Sequence, residues 1–407
     1  MRWSLLKRVS AGNFVQGVAM MKRVLVTSGV LVAVLSLLMA AVSVRAAGEP
    51  IVLGQSCALS GPAKNLGLEM RAGLLAAFSR VNDRGGVKGR DILLRSMDDG
   101  YEPDRAVENT RFFIEQEDVF MMIGEVGTPT SKAVVPIIEE HEVPFFAPVT
   151  GAEFLRVPFR RFVINVRASY FQEMERLAAY LIDTRKLTRI ACFYQNDSYG
   201  FAGLAGIQRA LRKRGMELVS QGSYERNTVA VMGGLRDVHA GEPEAIVMVG
   251  AYAACAEFIK LSKVKIDSDC LYCSISFVGT ESLKKALGRY GDNVIVSQVV
   301  PRPGDRSIKL MDEYMAAMNT YQHDMPVSFI SLEGYIAGKL FTEIAGRVEG
   351  ELTRRKFINT MESTAVFDLG GVVLHFSKNN HQGMDTIYLT RIMPRIELLS
   401  PDEGSDK

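Results

Sequence analysis

The sequence predicts an α/β protein of two lobes, each a mostly parallel sheet flanked by helices. Three observations predict it. Short apolar runs alternate with stretches of helical periodicity from residue 51 to residue 275, the pattern of a parallel sheet covered on both faces. That alternation starts afresh after Arg167. Finally, roughly 360 residues follow a leader-like N-terminus, more than one hydrophobic core usually supports.

Met1 to Met21 is basic, and Lys22-Arg23 precede an apolar run, Val24 to Val42, that ends at Ser43-Val44-Arg45-Ala46. A positive region, an apolar region and small residues at the end make a secretory signal peptide. Residues 1–46 are therefore expected to be leader plus signal, cleaved after Ala46, with translation starting at Met20 or Met21. The rival is an uncleaved anchor, because roughly 19 apolar residues come close to spanning a bilayer. Cys57 lies too far downstream for lipid attachment.

In the first half, Ile51 to Cys57 is expected as a buried strand and Leu66 to Asn82 as a helix. Arg84-Gly85-Gly86 stops that helix in the manner of a C-terminal glycine. Strand Asp91 to Arg95, helix Pro103 to Gln116 and strand Val119 to Ile123 follow. Beyond Arg167 come helix Tyr170 to Thr184, strand Arg189 to Tyr194, helix Gly200 to Arg214 and strand Glu217 to Tyr224. Helix Val231 to His239, strand Ala245 to Val249, helix Ala253 to Val264 and strand Cys270 to Ile275 complete the second series. Ser307 to Val348 is helical without strands, so it must return to one of the two lobes.

Charge and composition exclude several classes. Six of the 48 Lys and Arg residues lie in 1–46, and none of the 46 acids does, so the rest of the chain carries 42 basic against 46 acidic residues, a net charge of −4. A nucleic-acid partner has no support there. Cys57, Cys192, Cys255, Cys270 and Cys273 are an odd set. Cys270 and Cys273 fall on one strand, where residues three apart point to opposite faces, so buried structural thiols are expected. The five histidines have no metal-ligand spacing. No nucleophile elbow, phosphate loop or convergent His–carboxylate pair is present. No enzyme, metal or cofactor is expected.

Two stretches concentrate the functional signal. Ile123-Gly124-Glu125-Val126-Gly127-Thr128-Pro129-Thr130-Ser131 is a strand end that opens a helix, Ser131 to Glu140. Phe146-Ala147-Pro148-Val149-Thr150-Gly151 repeats the design. In a parallel α/β sheet, ligands collect outside the carboxyl ends of the strands. Hydroxyls, free N–H groups and a helix N-terminus offer one wall of a small-molecule site there. The same residues would also serve as ordinary caps and turns.

Several motifs, in order, carry a resemblance. Leu59-Ser60-Gly61-Pro62, Asn82-x-x-Gly85-Gly86-Val87-x-Gly89-Arg90, Asp98-Asp99-Gly100-Tyr101 and Ile123-Gly124 come first. Pro144-Phe145-Phe146-Ala147-Pro148, Asn196-Asp197-Ser198-Tyr199-Gly200 and Ser297-Gln298-Val299-Val300-Pro301 follow. Together, over about residues 50–395, they resemble the periplasmic solute-binding proteins of branched-chain amino acid ABC importers. The resemblance implies the type I binding-protein fold, two lobes joined by three hinge crossovers. It implies lobe 1 at 50–168 and 301–380, lobe 2 at 169–300 and 381–395, and a polar tail at 396–407.

The resemblance also implies contact positions. The hydroxyl for a ligand carboxylate falls at Thr128, with Thr130 beside it. The next strand end contributes Val149, Thr150 and Gly151. A covering side chain falls near Leu66, and the closing aromatics of the second lobe at Tyr199 and Tyr252. Ser60, Tyr101, Glu125 and Asn196 are further candidates at the cleft. Family members that bind amino acids place a carboxylate for the ligand ammonium where this chain has Ser276 and Phe277. A buried, unpaired ammonium is costly, so the expected ligand is not a standard α-amino acid. An acid, an amide or a larger apolar molecule fits instead. The expected protein is a monomeric periplasmic carrier that delivers a small ligand to an inner-membrane permease. The alternative is a membrane-anchored carrier or sensor for a lipid or sterol.

Overall fold

The computed structural model describes residues 48–392 and 396–399. The expected signal peptide or anchor at 1–46 lies outside them. From Glu49 onward the chain forms one compact unit built around two sheets. The first contains β1 (Gly48–Cys57), β2 (Arg90–Asp98), β3 (Met121–Ile123), β4 (Phe145–Phe146) and β5 (Val163–Ile164) in the order β2-β1-β3-β4-β5. The β1–β3, β3–β4 and β4–β5 pairs are parallel, with Leu53 opposite Met121.

The second sheet holds β6 (Ile190–Gln195), β7 (Ser220–Tyr224), β8 (Ala245–Val249), β9 (Leu271–Ser274) and β10 (Val294–Gln298). All of these pair in parallel, in the order β10-β9-β8-β6-β7. Every residue of β8 is buried, as a central strand covered on both faces requires. A small hairpin, β11 (Val366–Asp368) with β12 (Val373–His375), stands apart. The chain then returns to the second sheet. There β13 (Tyr388–Ile392) pairs antiparallel with β10, and β14 (Ile396–Leu398) pairs antiparallel with β13. The first residues of the expected tail are thus a strand, because Ile396 and Leu398 alternate with Glu397 against an otherwise open edge.

Helices fill the connections. They are α1 (Lys64–Asn82), α2 (Pro103–Glu115), α3 (Thr128–Glu140), α4 (Tyr170–Ala178), α5 (Ser198–Arg212) and α6 (Met232–His239). Next come α7 (Tyr252–Lys265), α8 (Thr280–Leu287), α9 (Lys309–Tyr321), α10 (Phe329–Arg347) and α11 (Arg354–Thr364). The expected helix from Tyr170 to Thr184 changes winding, and Ala179–Thr184 is a π segment. The helical stretch after Ser307 returns to the first lobe, where α9 and α10 pack on α1. A notch of glycines permits this: a Cβ at Gly73 would lie 1.9 Å from the Ser331 carbonyl oxygen, and one at Gly334 would lie 2.4 Å from that of Met70.

The element order takes the chain between the lobes three times, between β5 and β6, between β10 and α9, and between β12 and β13. Two of these crossovers are tied side by side. Asn165 N–H donates to the His381 carbonyl, Gly383 N–H to that of Asn165, and Met384 N–H to that of Val166. All five cysteines are buried and unpaired, and burial pushes the Cys192, Cys255 and Cys273 thiols far above their ordinary range. No helix among the described residues is long and apolar enough to cross a membrane.

Candidate functional site

The two strand ends meet as one wall. A parallel bridge between Val126 and Val149 extends the β3–β4 pairing, and Val149 N–H donates to the Glu125 carbonyl at 2.7 Å. Helix α3 opens at Thr128, one turn earlier than Ser131, behind Gly127 with φ of 127°. A Cβ on Gly127 would sit 2.3 Å from the Tyr101 ring, so the glycine lets that ring lie against the helix start. Tyr101 itself has φ of 64°, an unusual left-handed conformation for a bulky residue. Asp99 holds it there by accepting its N–H at 2.7 Å.

Thr128 Oγ1 and Thr150 Oγ1 lie 2.7 Å apart, and the Tyr170 hydroxyl is 3.4 Å from Thr128. All three are fully buried. Thr130 turns away and donates to the Val126 and Gly127 carbonyls, a capping role. Gly151 accepts the Tyr170 N–H at 2.7 Å, and a Cβ there would lie 2.6 Å from the Tyr170 ring.

The second sheet supplies the opposite wall. Asp197 caps α5 by accepting the N–H groups of Tyr199 and Gly200, which points Tyr199 inward. Its ring lies 5.7 Å from that of Tyr170 and 4.6 Å from that of Phe277. Phe277 lies 6.0 Å from Tyr101, and Gln195 Nε2 donates to the Tyr101 hydroxyl at 3.3 Å. Four buried aromatic rings thus pack in series across the two lobes, and Tyr170 carries the series to Thr128. The Tyr199 hydroxyl has no partner among the described residues. Leu66 packs near Gly279, whose Cβ would lie 2.7 Å from it.

The other candidates divide. Ser60 and Asn196 are exposed and committed to Asp98 Oδ2 at 2.6 Å and Glu225 Oε1 at 2.8 Å. Tyr252 is half-buried at the start of α7. Glu125 is fully buried, and the Thr130 side chain is close enough to stabilise its carboxylate. Burial, then the nearby Asp99 carboxylate, pushes its carboxyl well above the usual range, which favours the neutral acid.

Ser276 belongs to a buried polar cluster at the crossover. Its Oγ accepts from Arg167 Nη2. Glu173 accepts three hydrogen bonds, from Ser276 N–H at 2.8 Å, Ser276 Oγ at 3.0 Å and Ser297 Oγ at 2.6 Å. Arg167 Nε lies 3.3 Å from Glu333 Oε1, and both side chains are buried. Burial disfavours the guanidinium charge, but the Glu333 and Glu173 carboxylates outweigh it and hold Arg167 protonated. Sequence reasoning missed Arg167, Tyr170, Glu173 and Glu333. A signal for Arg167 exists, since it is a charge at the end of the mostly apolar stretch Phe162-Val163-Ile164-Asn165-Val166. Nothing local marks Glu333, whose partner is far away in the chain.

Comparison with known proteins gives consistent matches. Residues 50–395 match the family model described as periplasmic binding protein. Leu/Ile/Val-binding protein homolog 7 of Brucella abortus is 24% identical over 320 residues, 75% of this chain and 79% of that protein. The crystal structure of a possible leucine/isoleucine/valine-binding protein from Rhodopirellula baltica SH 1 superposes with a TM-score of 0.84 at 34% identity, covering 88% of this chain and 98% of that one. A fatty acid ABC transporter substrate-binding protein from Thermomonospora curvata shares the fold, with a TM-score of 0.75 at 19% identity over 84% of this chain and 88% of that one.

Proposed function

The chain belongs to the periplasmic binding protein family, and on that premise we propose that it captures a small ligand by hinge closure and hands it to a membrane permease. The observation that carries this reading is the wall of Thr128 and Thr150 joined to the ring series of Tyr101, Phe277, Tyr199 and Tyr170. Ligand binds first to the threonines of lobe 1 (50–168 and 301–380). Lobe 2 (169–300 and 381–395) then swings in and adds Tyr199 and Phe277, with Tyr252 at the edge. Contacts made only in the closed form are what shift the population toward it. The permease reads that closed form. Residues 1–46 export the protein, which works as a monomer in the periplasm.

The ligand is not a standard α-amino acid. Ser276 and Phe277 stand where an ammonium partner would be. Of the substitutes, Glu125 is pushed toward its neutral form. Asp197 is occupied by Tyr199 N–H, Gln195 and Arg226. Relatives whose names specify leucine, isoleucine and valine and one whose name specifies fatty acids share this fold, so the frame accommodates ligands with and without an ammonium. Calorimetry on the purified exported protein with leucine, phenylalanine, small carboxylic acids, amides and a membrane-lipid extract tests the reading. Ligand at about 100 times its Kd should add about 2.7 kcal/mol of stability. Strong stabilisation by leucine would refute the ligand class and leave the capture mechanism standing.

A further inference from the structure

We propose that Arg167 sets the charge of the ligand: its guanidinium receives the carboxylate of an apolar-bodied acid that carries no ammonium. This rests on the capture reading above and adds the chemical class.

The first support is the open donor. Arg167 is fully buried. Its Nε faces Glu333 and its Nη2 donates to Ser276, while Nη1 has no acceptor among the described residues. Its contact residue Ser276 precedes Phe277, whose ring lies 4.6 Å from that of Tyr199, and the Tyr199 hydroxyl is a further open donor. Buried donors without acceptors are costly and uncommon in folded proteins. Arg167 Nη1 and the Tyr199 hydroxyl, on side chains that meet at Ser276 and Phe277, form a place prepared for an incoming acceptor.

The second support is the sign of the charge. At Ser276 the expected carboxylate is replaced by a hydroxyl that a cation already engages. The nearest acid, Glu173, spends its lone pairs on Ser276 and Ser297. Glu333 reaches Arg167 through Nε and leaves Nη1 open. A second guanidinium, Arg156, donates to the Arg167 carbonyl at 2.9 Å, and the two cations repel each other. A ligand ammonium arriving here would meet a like charge, while a carboxylate would receive a charge-assisted hydrogen bond. The rings of Tyr101, Tyr170, Tyr199 and Phe277 leave apolar faces for the ligand body.

Matched probes test this by calorimetry on the exported protein. Phenylacetate, 4-methyl-2-oxopentanoate and octanoate are each titrated beside the corresponding primary amide, with L-leucine and L-phenylalanine alongside. The expected result is that at least one acid binds and its amide binds about tenfold or more weakly, the scale of one lost charge-assisted hydrogen bond. In Arg167→Gln the acid should fall to the affinity of its amide, and Arg167→Lys should recover part of the difference. If Arg167→Gln does not fold, the acid–amide comparison on the native protein decides alone. Equal binding of acid and amide, or tighter binding of L-leucine than of 4-methyl-2-oxopentanoate, overturns the assignment. A native protein stabilised by no acid, amide, amino acid or lipid would instead count against capture itself and take this assignment with it.

Discussion

At Tyr199 a hydroxyl is buried without a partner while its ring packs on Tyr170 and Phe277. The two halves of this side chain should therefore separate in experiment. Tyr199→Phe keeps the ring contacts and removes an unsatisfied group, so the thermal midpoint should hold or rise, the change staying within about 1 kcal/mol. Affinity for the ligand should fall. A midpoint several degrees lower would show that the hydroxyl has a partner in the free protein. The threonines behave differently, because Thr128 and Thr150 satisfy each other at 2.7 Å. Thr128→Val should cost about 1–3 kcal/mol of stability by stranding Thr150, measured by urea denaturation. At this scale the sequence was half legible. Tyr199, Thr128 and Thr150 announce themselves at strand ends. Arg167 and Glu333 do not, since a buried ion pair between residues so distant in the chain leaves no local spacing to read.

The paired helices α1 and α10 show how elements are held. With Ser331 O and Tyr335 N at 1.9 and 2.7 Å from a Cβ at Gly73, Gly73→Ala must push two backbones apart. It should cost about 1–3 kcal/mol. Gly346→Ala, near the end of α10, meets nothing within 4 Å and should be neutral or slightly stabilising. A pH effect belongs to this scale too. Glu281 on α8 and Glu69 on α1 line one cavity of about 470 Å³ with Asp324 and Met325. Burial, then the Glu69 carboxylate, raises Glu281 from 4.5 to about 8, with Lys284 and Tyr314 also near it. Where opening of the lobes brings water to this cavity, Glu281 ionises more readily in the open form. Closure is therefore unpenalised below the ordinary value near 4.5 and loses ground as pH climbs toward 8. Ligand affinity should rise as pH falls through that window, and Glu281→Gln should flatten the profile. An unchanged slope in that variant would remove Glu281 from the account. The parallel strand–helix series was readable because each element carries its own period. The three-residue strands at 366–375 and the antiparallel return of β13 and β14 were not, because short strands acquire their pairing only from the sheet they join.

Across the whole molecule, a clasp beside Tyr101 and Asp197 joins the two lobes. Arg226, just past β7, donates to Glu102 Oε2 at 2.7 Å, and Asn227 donates to the Gly100 carbonyl and to Glu102 Oε1. These groups are partly exposed, so the clasp contributes about 1 kcal/mol or less. Arg226→Ala should speed ligand release up to about fivefold and leave the ranking of ligands unchanged, read by stopped-flow dissociation. High salt should mimic it in the native protein. Scattering in solution should show a smaller radius of gyration with ligand than without. The buried thiols give that motion a practical handle. Cys57, Cys192, Cys255 and Cys273 are fully buried and Cys270 is 9% exposed, so with Cys270 replaced by serine a maleimide dye would react with one cysteine installed at exposed Asn196. A fluorophore placed at that position would convert lobe movement into an optical reading of ligand concentration.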